Sequence, residues 1–466
     1  MLSSLRSVHS TLAFQPFPID SPWSAVLATA VRARGAPRDA RLFLEQREDV
    51  RRTWADGRTS GYGTHWRGLC VELPGRSRHV SDPLTDDVAR VLCAASEEDR
   101  PVPKEGPVHS PEPGLRSGVE REALEAVMER LAHAVARHGP GLRASVTAVA
   151  FEQHVWTAHR EQGCVEDHRR SVRLRLEVET ERGPRRARAV AEVARGTPRE
   201  IDDAIVSRLA SHAVERLEAR LDPREAPTGS LTAVLAPGVG GILAHEIVGH
   251  ALEADRVRGQ SWLAEASGIA PPELLILDDP RRGRAPWRVD DEGVESRPIA
   301  LIDGGHVVGR LHDRRSAARF AARPTGHGRR ASFRDPVLPR MGCTYIAAGS
   351  HDATEIVSSV ERGVYVRRME AASVDARSGR AVFRVTDSDE IVRGALAAPL
   401  LPFLCIVEGP RVLRDLRLVA DDVAFDTCIG TCHRDGQALA IGVGAPTICI
   451  GVTSVSPVNF DMTVQR

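Results

Sequence analysis

Hydrophobic and polar positions form long periodic runs through the first half of the chain and break into short runs separated by turns in the second half. Helical spacing covers residues 22–34. Strand-like runs follow at 40–46 and 49–54, then a hairpin turn at Asp56-Gly57 and a further strand at 61–73. Ser81 to Asp86 reads as the cap of a helix reaching about Ser96. Residues 101–117, rich in Pro, Gly and charge, read as a loop or short linker, and helix resumes over 120–138. Antiparallel strands are expected at 143–151, 154–160, 171–181 and 186–194. The third of these alternates Val172, Leu174, Leu176 and Val178, and the fourth is entered through Arg182-Gly183-Pro184. A long helix at 198–221 carries Ile201, Ile205, Leu209, Val214 and Leu217 at helical spacing.

Residues 222–230 then separate an N-terminal α/β domain, 1–225, from a mostly-β domain, 226–466, whose short strands fall at 297–302, 306–312, 380–386, 411–419 and 438–452. The fold class is α+β, with an antiparallel sheet in the first domain and one conspicuous helix near the junction.

Composition narrows the function. With 466 residues and 42% apolar content the chain can bury two large cores or three smaller ones, and its zero formal charge gives no general attraction to nucleic acid or to acidic membranes. No early segment has the unbroken apolar core of a signal peptide, and no run approaches the roughly 18 apolar residues of a membrane span, so a soluble, cytoplasmic protein is expected. Eight cysteines scattered through a chain of this kind read as thiols, most of them small buried hydrophobes, and not as a disulfide framework.

The helix near the junction carries the chemistry. It reads Ala244-His245-Glu246-Ile247-Val248-Gly249-His250-Ala251-Leu252-Glu253-Ala254-Asp255, after a Gly/Pro turn at Pro237-Gly238-Val239-Gly240-Gly241. Two neutral imidazoles suit Zn²⁺, and a carboxylate beside the first can take a proton from a water at the metal without being a ligand. Histidines at i and i+4 lie about 40° apart around a helix, but His245 and His250, at i and i+5, lie about 140° apart. A π-type bulge or a helix end is therefore required, and Gly249 is where the backbone can yield. Glu253 and Asp255 read as acceptors for the imidazole N–H groups or as capping groups.

His245 to Glu253 resembles the H-E-x-x-x-H motif of the TldD/PmbA family of bacterial metallopeptidases. Four further stretches are similar to family motifs in the same order: Asp290-Asp291-Glu292-Gly293, Pro324 to Arg330, Pro339-Arg340-Met341-Gly342-Cys343-Thr344-Tyr345, and Cys432-His433-Arg434-Asp435-Gly436-Gln437. The resemblance implies a zinc peptidase with a barrel-like C-terminal domain, His245 and His250 as ligands, a third ligand at the cysteine of the last motif, and Glu246 as general base. It also implies a homodimer, or a heterodimer with a TldE-like paralogue that lacks the metal motif. Cys432 stands in register with that motif, next to His433 and Arg434, which can help a thiol ionise. Cys428, behind Val423, Ala424 and Phe425, reads as a packed strand residue.

The expected reaction is zinc-dependent hydrolysis of peptide or amide bonds in short or unfolded peptides, such as those of natural-product maturation, or in a peptide-like biosynthetic intermediate. Strand addition at a sheet edge would bind such an extended peptide. The other reading is a non-hydrolytic regulatory or scaffold subunit of a TldD/TldE-type complex, including the gyrase-modulator role by which the family was first labelled. Arg340, Tyr345, His433 and His327 are candidate substrate-binding residues, and Arg329 is a candidate for a carboxylate clamp or a salt bridge. The family usually has Met-Thr-Asn at Met341-Gly342-Cys343, often Asn at His327, and Cys-Gly-Lys at Cys432-His433-Arg434. These departures flank the expected cleft and point to a specialised member.

Overall fold

A computed structural model describes residues 22–32, 37, 39–73, 76–81, 88, 120–182, 185–256, 261–263, 268–416, 418–426 and 430–457. The linker expected at 101–117, most of the helix expected from Ser81 to Ser96, and Cys428 lie outside these residues.

The N-terminal half is one antiparallel sheet of six strands: β1 (Arg41–Ala55), β2 (Arg58–Leu73), β3 (Arg76–Ser81), β4 (Leu142–His159), β5 (Gly163–Arg182) and β6 (Arg185–Arg195), in the order β3-β2-β1-β4-β5-β6. Asp56 and Gly57 make the β1–β2 turn with positive φ at both positions, as a two-residue hairpin requires. The expected pairs of short strands at 40–46 with 49–54, and at 143–151 with 154–160, are in fact the single long strands β1 and β4. The reason is a change of cover along one face. Leu42, Leu44, Trp156 and Ala158 pack under helix α1 (Pro22–Arg32), whereas Val50, Val146, Ala148 and Ala150 pack under α2 (Arg121–Ala136) and α3 (Asp203–Ala219). Between the two covers the same face is polar, which interrupts the apolar pattern without ending the strand.

The helix expected at 198–221 is also divided. Thr197 and Glu200 close a capping box around a 3₁₀ turn, Pro198–Glu200, and α3 starts afresh with the Asp202 carboxylate accepting from the Ile205 N–H at 2.8 Å.

The opposite face of the sheet meets the C-terminal half. Arg169, fully buried on β5, donates to Asp167 at 2.8 Å and to Asp291 at 2.6 Å, and the Glu45 carboxylate accepts the Phe333 N–H at 2.8 Å. Arg330 pairs with Glu72 at 2.5 Å, with its guanidinium 4.5 Å from the Phe43 ring. Asp291 also accepts from the Arg329 side chain and the Arg330 N–H, so Arg329 is a structural salt bridge.

In the C-terminal half, β7 (Gly229–Leu235) pairs with Arg362–Asp375 and Ile448–Pro457. Strands Phe403–Glu408 and Arg380–Val392 complete a closed ring of five, and Ala395–Pro399 adds to its side. This is a β-barrel filled by Leu235, Val364, Val366, Phe383, Val385, Phe403 and Ile450, with Leu243 from the following helix among them. A second sheet holds Ile276–Asp278, Ile299–Asp303, His306–Val307, Cys343–Ile346, Ala424–Asp426 and Gly442–Ala445. The strand expected at 411–419 is instead a helix, Gly409–Asp415. Pro410 sits in its first turn, where the missing N–H costs nothing, and Val412, Leu413 and Leu416 bury one helical face. No described helix is long and apolar enough to cross a membrane.

Candidate metal centre

The turn after β7 is built for close approach. Gly238 has φ 88°, and a Cβ on Gly241 would stand 2.4 Å from the Gly444 nitrogen, so helix α4 (Gly240–Ala244) lies directly on the strand Gly442–Ala445. The helix then widens. His245–Gly249 is a π turn, in which the His250 N–H donates to the His245 carbonyl, and it tightens into a 3₁₀ turn at His250–Leu252. Widening brings residues five apart onto one side: the His245 and His250 rings have centroids 5.0 Å apart and planes at 79°. Gly249 itself keeps ordinary helical angles, φ −56° and ψ −57°. Its missing side chain makes room for Met341, whose Sδ would lie 1.9 Å from a Cβ there. Carbonyls released by the irregular turn are taken by Trp262 Nε1 on Ile247, at 3.0 Å, and by Ser261 Oγ on Ala251.

The third donor arrives on a hairpin, Thr431–Arg434 paired with Gln437–Ala440, turned by Asp435 and Gly436 at φ 49° and 79°. Strand alternation points Cys432 and Arg434 inward and leaves Thr431 and His433 exposed. Cys432 Sγ lies 3.4 Å from His250 Nε2, and the donor atoms of His245, His250 and Cys432 all fall within 4.8 Å of one another. His245 is 1% exposed, yet neither ring nitrogen has a hydrogen-bond partner among the described residues. A buried imidazole in that state is costly unless a ligand engages it, and two imidazoles with a thiol are a donor set that a borderline-soft cation takes. The residues present therefore fit a metal ion.

The charges around the centre are arranged accordingly. Burial pushes the Cys432 thiol up, but the His245 and His250 imidazoles outweigh it and hold the thiol well below its usual range. Burial also opposes charge on His250, and Glu253 and Cys432 more than offset this, raising its pKa well above the ordinary value. Glu253 is buried as well, yet His250, Arg434 and Arg340 bring it down to about 2. One Glu253 oxygen, Oε2, lies 3.0 Å from His250 Nδ1 and 3.0 Å from Arg434 Nη1, and Arg434 also pairs with Asp255. Glu246 is half-buried with Oε2 3.8 Å from His250 Nε2.

His245, Glu246, His250 and Cys432 thus come together. The four candidate substrate-binding residues do not join them as a group. Arg340 is 1% exposed and donates to the Cys432 carbonyl at 2.8 Å, holding the hairpin in place from beneath. His433 is on the strand face opposite Cys432. His327 is fully enclosed, Nδ1 against Thr325 and Nε2 3.1 Å from Asp278, which also accepts from Gly342 N and Thr344 Oγ1. Tyr345 is partly buried, edge-on to Phe425 at 5.3 Å. The departure at Cys343 adds no ligand: burial pushes that thiol well up, among Asp278, Asp279 and Arg282. What the sequence reading missed is Arg434 as the partner of Glu253 and Asp255. Its signal was the period of two that puts it on the same strand face as Cys432.

Fold and centre together define a class: a two-part α+β protein whose C-terminal barrel half carries a His₂Cys group that could hold a metal ion, on a distorted helix and a hairpin. Residues 228–456 match the PmbA/TldA metallopeptidase C-terminal domain. The C-terminal half of the chain is thus similar to the C-terminal domain of the PmbA/TldA metallopeptidases. Among curated relatives, the metalloprotease TldD homolog of Haemophilus influenzae is 33% identical over 255 residues, 54% of this chain and 53% of the relative. The zinc metalloprotease TldD homolog of Saccharolobus solfataricus is 27% identical over 224 residues, 47% of this chain and 50% of the relative. The chain thus spans about half the length of the curated relatives it matches. Among solved structures, TldE from Thermococcus kodakarensis has a TM-score of 0.68 at 16% identity, covering 90% of this chain and 96% of that one. A putative modulator of a DNA gyrase from Thermotoga maritima has a TM-score of 0.69 at 15% identity with the same coverage, and both show likeness of fold.

Proposed function

We propose that this protein is a zinc-dependent peptidase or amidase acting on short or unfolded peptides or on a peptide-like biosynthetic intermediate. The observation that carries the reading is the convergence of His245, His250 and Cys432, with the buried His245 ring without a hydrogen-bond partner among the described residues and the Glu246 carboxylate alongside. The three residues would hold Zn²⁺, which when bound supplies Lewis acidity and lowers the pKa of water at the site toward about 7. Glu246 takes the proton of the attacking water on its carboxylate and returns it to the leaving amine. Glu253 holds His250 by Nδ1, leaving Nε2 to face Cys432, and Arg434 and Arg340 hold Glu253 and the hairpin in turn. Zinc appears in the printed name of the Saccharolobus solfataricus relative, which supports the choice of metal.

The partner we propose is a second copy or a TldE-like paralogue, on the likeness of fold to TldE. The intact donor set favours the catalytic role over a purely regulatory subunit. Glu246→Gln tests this reading: zinc content stays near one per centre while cleavage of a peptide library falls about 10²- to 10⁴-fold. Loss of metal together with activity would make Glu246 a ligand, and cleavage unchanged would remove it as the base. Sedimentation of the active species checks the partner; a fully active monomer at low concentration would exclude it.

A further inference from the structure

A second group of ligating side chains lies on the helix-covered face of the N-terminal sheet, in the polar strip between the cover of α1 and that of α2 and α3. Glu152 and His154 are two apart on β4 and so share a face, and His168 stands directly opposite His154 on β5. The two imidazoles are stacked, centroids 4.0 Å apart at 24°. Both Nε2 atoms turn to one carboxylate oxygen, Glu152 Oε1, at 2.6 Å from His168 and 3.6 Å from His154, and the three donor atoms lie within 4.8 Å of one another. Trp156 also stacks with the His154 ring, centroids 5.8 Å apart at 18°. Among the neighbours on this face, Glu48, opposite Glu152 on β1, is held by Arg121 at 2.7 Å. Arg170, opposite Glu152 on β5, reaches toward Gly196.

A hydrogen bond between His168 and Glu152 accounts for one imidazole and not for the second, which is brought to the same oxygen at a longer distance. Two donors at i and i+2 on one strand with a third on its neighbour give three ligands on one face and leave the outer positions open. We infer that Glu152, His154 and His168 form a second metal site, open to solvent, for a divalent first-row transition ion of the kind that imidazole and carboxylate ligands select, such as Zn²⁺, Co²⁺ or Ni²⁺. It is independent of the centre on the C-terminal half, since the two groups share no residue and lie on elements of different halves. A bound ion would cross-link β4 to β5 where no described helix covers them.

The test is a Co²⁺ titration of the metal-free, tag-free full chain, followed by calorimetry and by absorbance. The expected result is two equivalents bound per chain, with the thiolate-to-cobalt absorption saturating at one. His154→Ala, a substitution at a side chain 40% exposed, should lower the total to one and leave the thiolate absorption unchanged, and Glu152→Gln should weaken the second equivalent at least tenfold. One equivalent in the unaltered protein with the thiolate absorption fully developed would overturn the inference without recourse to any variant, as would an undiminished total in His154→Ala. If the buried centre takes no cobalt, the thiolate absorption is missing while the second site still binds, so the two proposals fail separately.

Discussion

Two buried clusters of arginine and carboxylate, one behind the metal centre and one at the junction of the halves, are built from the same residue types and differ in what they leave unfinished. At the junction, Asp291 accepts from the Arg169 and Arg329 side chains and the Arg330 N–H, although Arg330 Nε and Nη1 have no hydrogen-bond partner among the described residues. Behind the centre, Glu253 Oε2 is shared between Arg434 and His250, while among the described residues Oε1, both nitrogens of His245 and two of Arg340 have no hydrogen-bond partner. Closed pairing fixes the two halves to each other. The difference lies in the acceptor and the imidazole: Asp291 is saturated, whereas both nitrogens of His245 leave donor capacity for a ligand, so here an unpartnered buried imidazole, and not an unpaired guanidinium nitrogen, marks the candidate site.

The largest expected effect breaks the closed cluster. Asp291→Ala removes the acceptor of three donors and leaves Arg169 with a single carboxylate, Asp167. Loss of one partner from a buried pair costs about 3 to 5 kcal/mol. Urea unfolding should show that loss, while the folded fraction keeps its metal. Metal lost at unchanged stability would reverse the roles assigned to the two clusters.

Acid should reveal the same carboxylate. Burial alone would raise the Asp291 pKa, but Arg169, Arg329 and Arg330 bring it down from 3.8 to about 2. A folded value below the unfolded one contributes stability that is fully present above pH 4 and is lost as the pH falls through 2. The shift corresponds to about 2 kcal/mol. The stability gap between wild type and Asp291→Asn should therefore be constant from pH 7 to about 5, narrow as the pH falls from about 4, and have lost about that amount once the pH is below 2. A gap that does not change with pH would show that packing, not charge, accounts for the effect.

At the open cluster the readout is affinity. Glu253→Gln keeps an acceptor near His250 Nδ1 but removes the charge, and changing such an outer partner weakens metal binding about 10- to 100-fold. Competition with a chromophoric chelator measures it. Unchanged affinity would mean that Glu253 serves only to neutralise Arg434.

How much of this could be read in the chain depends on how far apart the interacting residues are. The π turn was legible because a five-residue interval between His245 and His250 cannot be reconciled with a regular helix. Cys432 was favoured over Cys428 by register with Gly436 and Gln437, and the structure brings it to 3.4 Å from His250. Long strands were misread as pairs of short ones because β1 and β4 pass from the cover of α1 to that of α2 and α3, and a local window records the change of cover as a break. The helix Gly409–Asp415 was read as a strand although Pro410 and the spacing of Val412, Leu413 and Leu416 agree with a helix. The pairings Arg434 with Glu253 and Arg169 with Asp291 join residues far apart in sequence: the period of two puts Arg434 on the face of Cys432, but no local pattern names its partner. Arg340 and His327 looked like substrate groups because both fall within recognised motifs, and burial shows their polar atoms turned inward.

Glycine gives the finest distinction between the clusters. At the junction, Gly326 has φ 77° and a Cβ there would also meet the Glu295 carbonyl oxygen at 2.5 Å, so both backbone and space demand it. At the centre, Gly249 has helical angles and the nearest atoms that a Cβ would meet all belong to Met341. Methionine is flexible and can move aside, so Gly249→Ala should cost about 1 kcal/mol, the low end of overpacking. Shortening Met341 opens the space that the alanine methyl needs. In a double-mutant cycle the pair Gly249→Ala and Met341→Ala should then be less destabilising than the sum of the single changes, with a coupling of at least about 0.5 kcal/mol. Strict additivity would mean that the glycine is needed for the π turn itself, and His250 would then be misplaced, and metal binding weakened, in Gly249→Ala whatever residue occupies position 341.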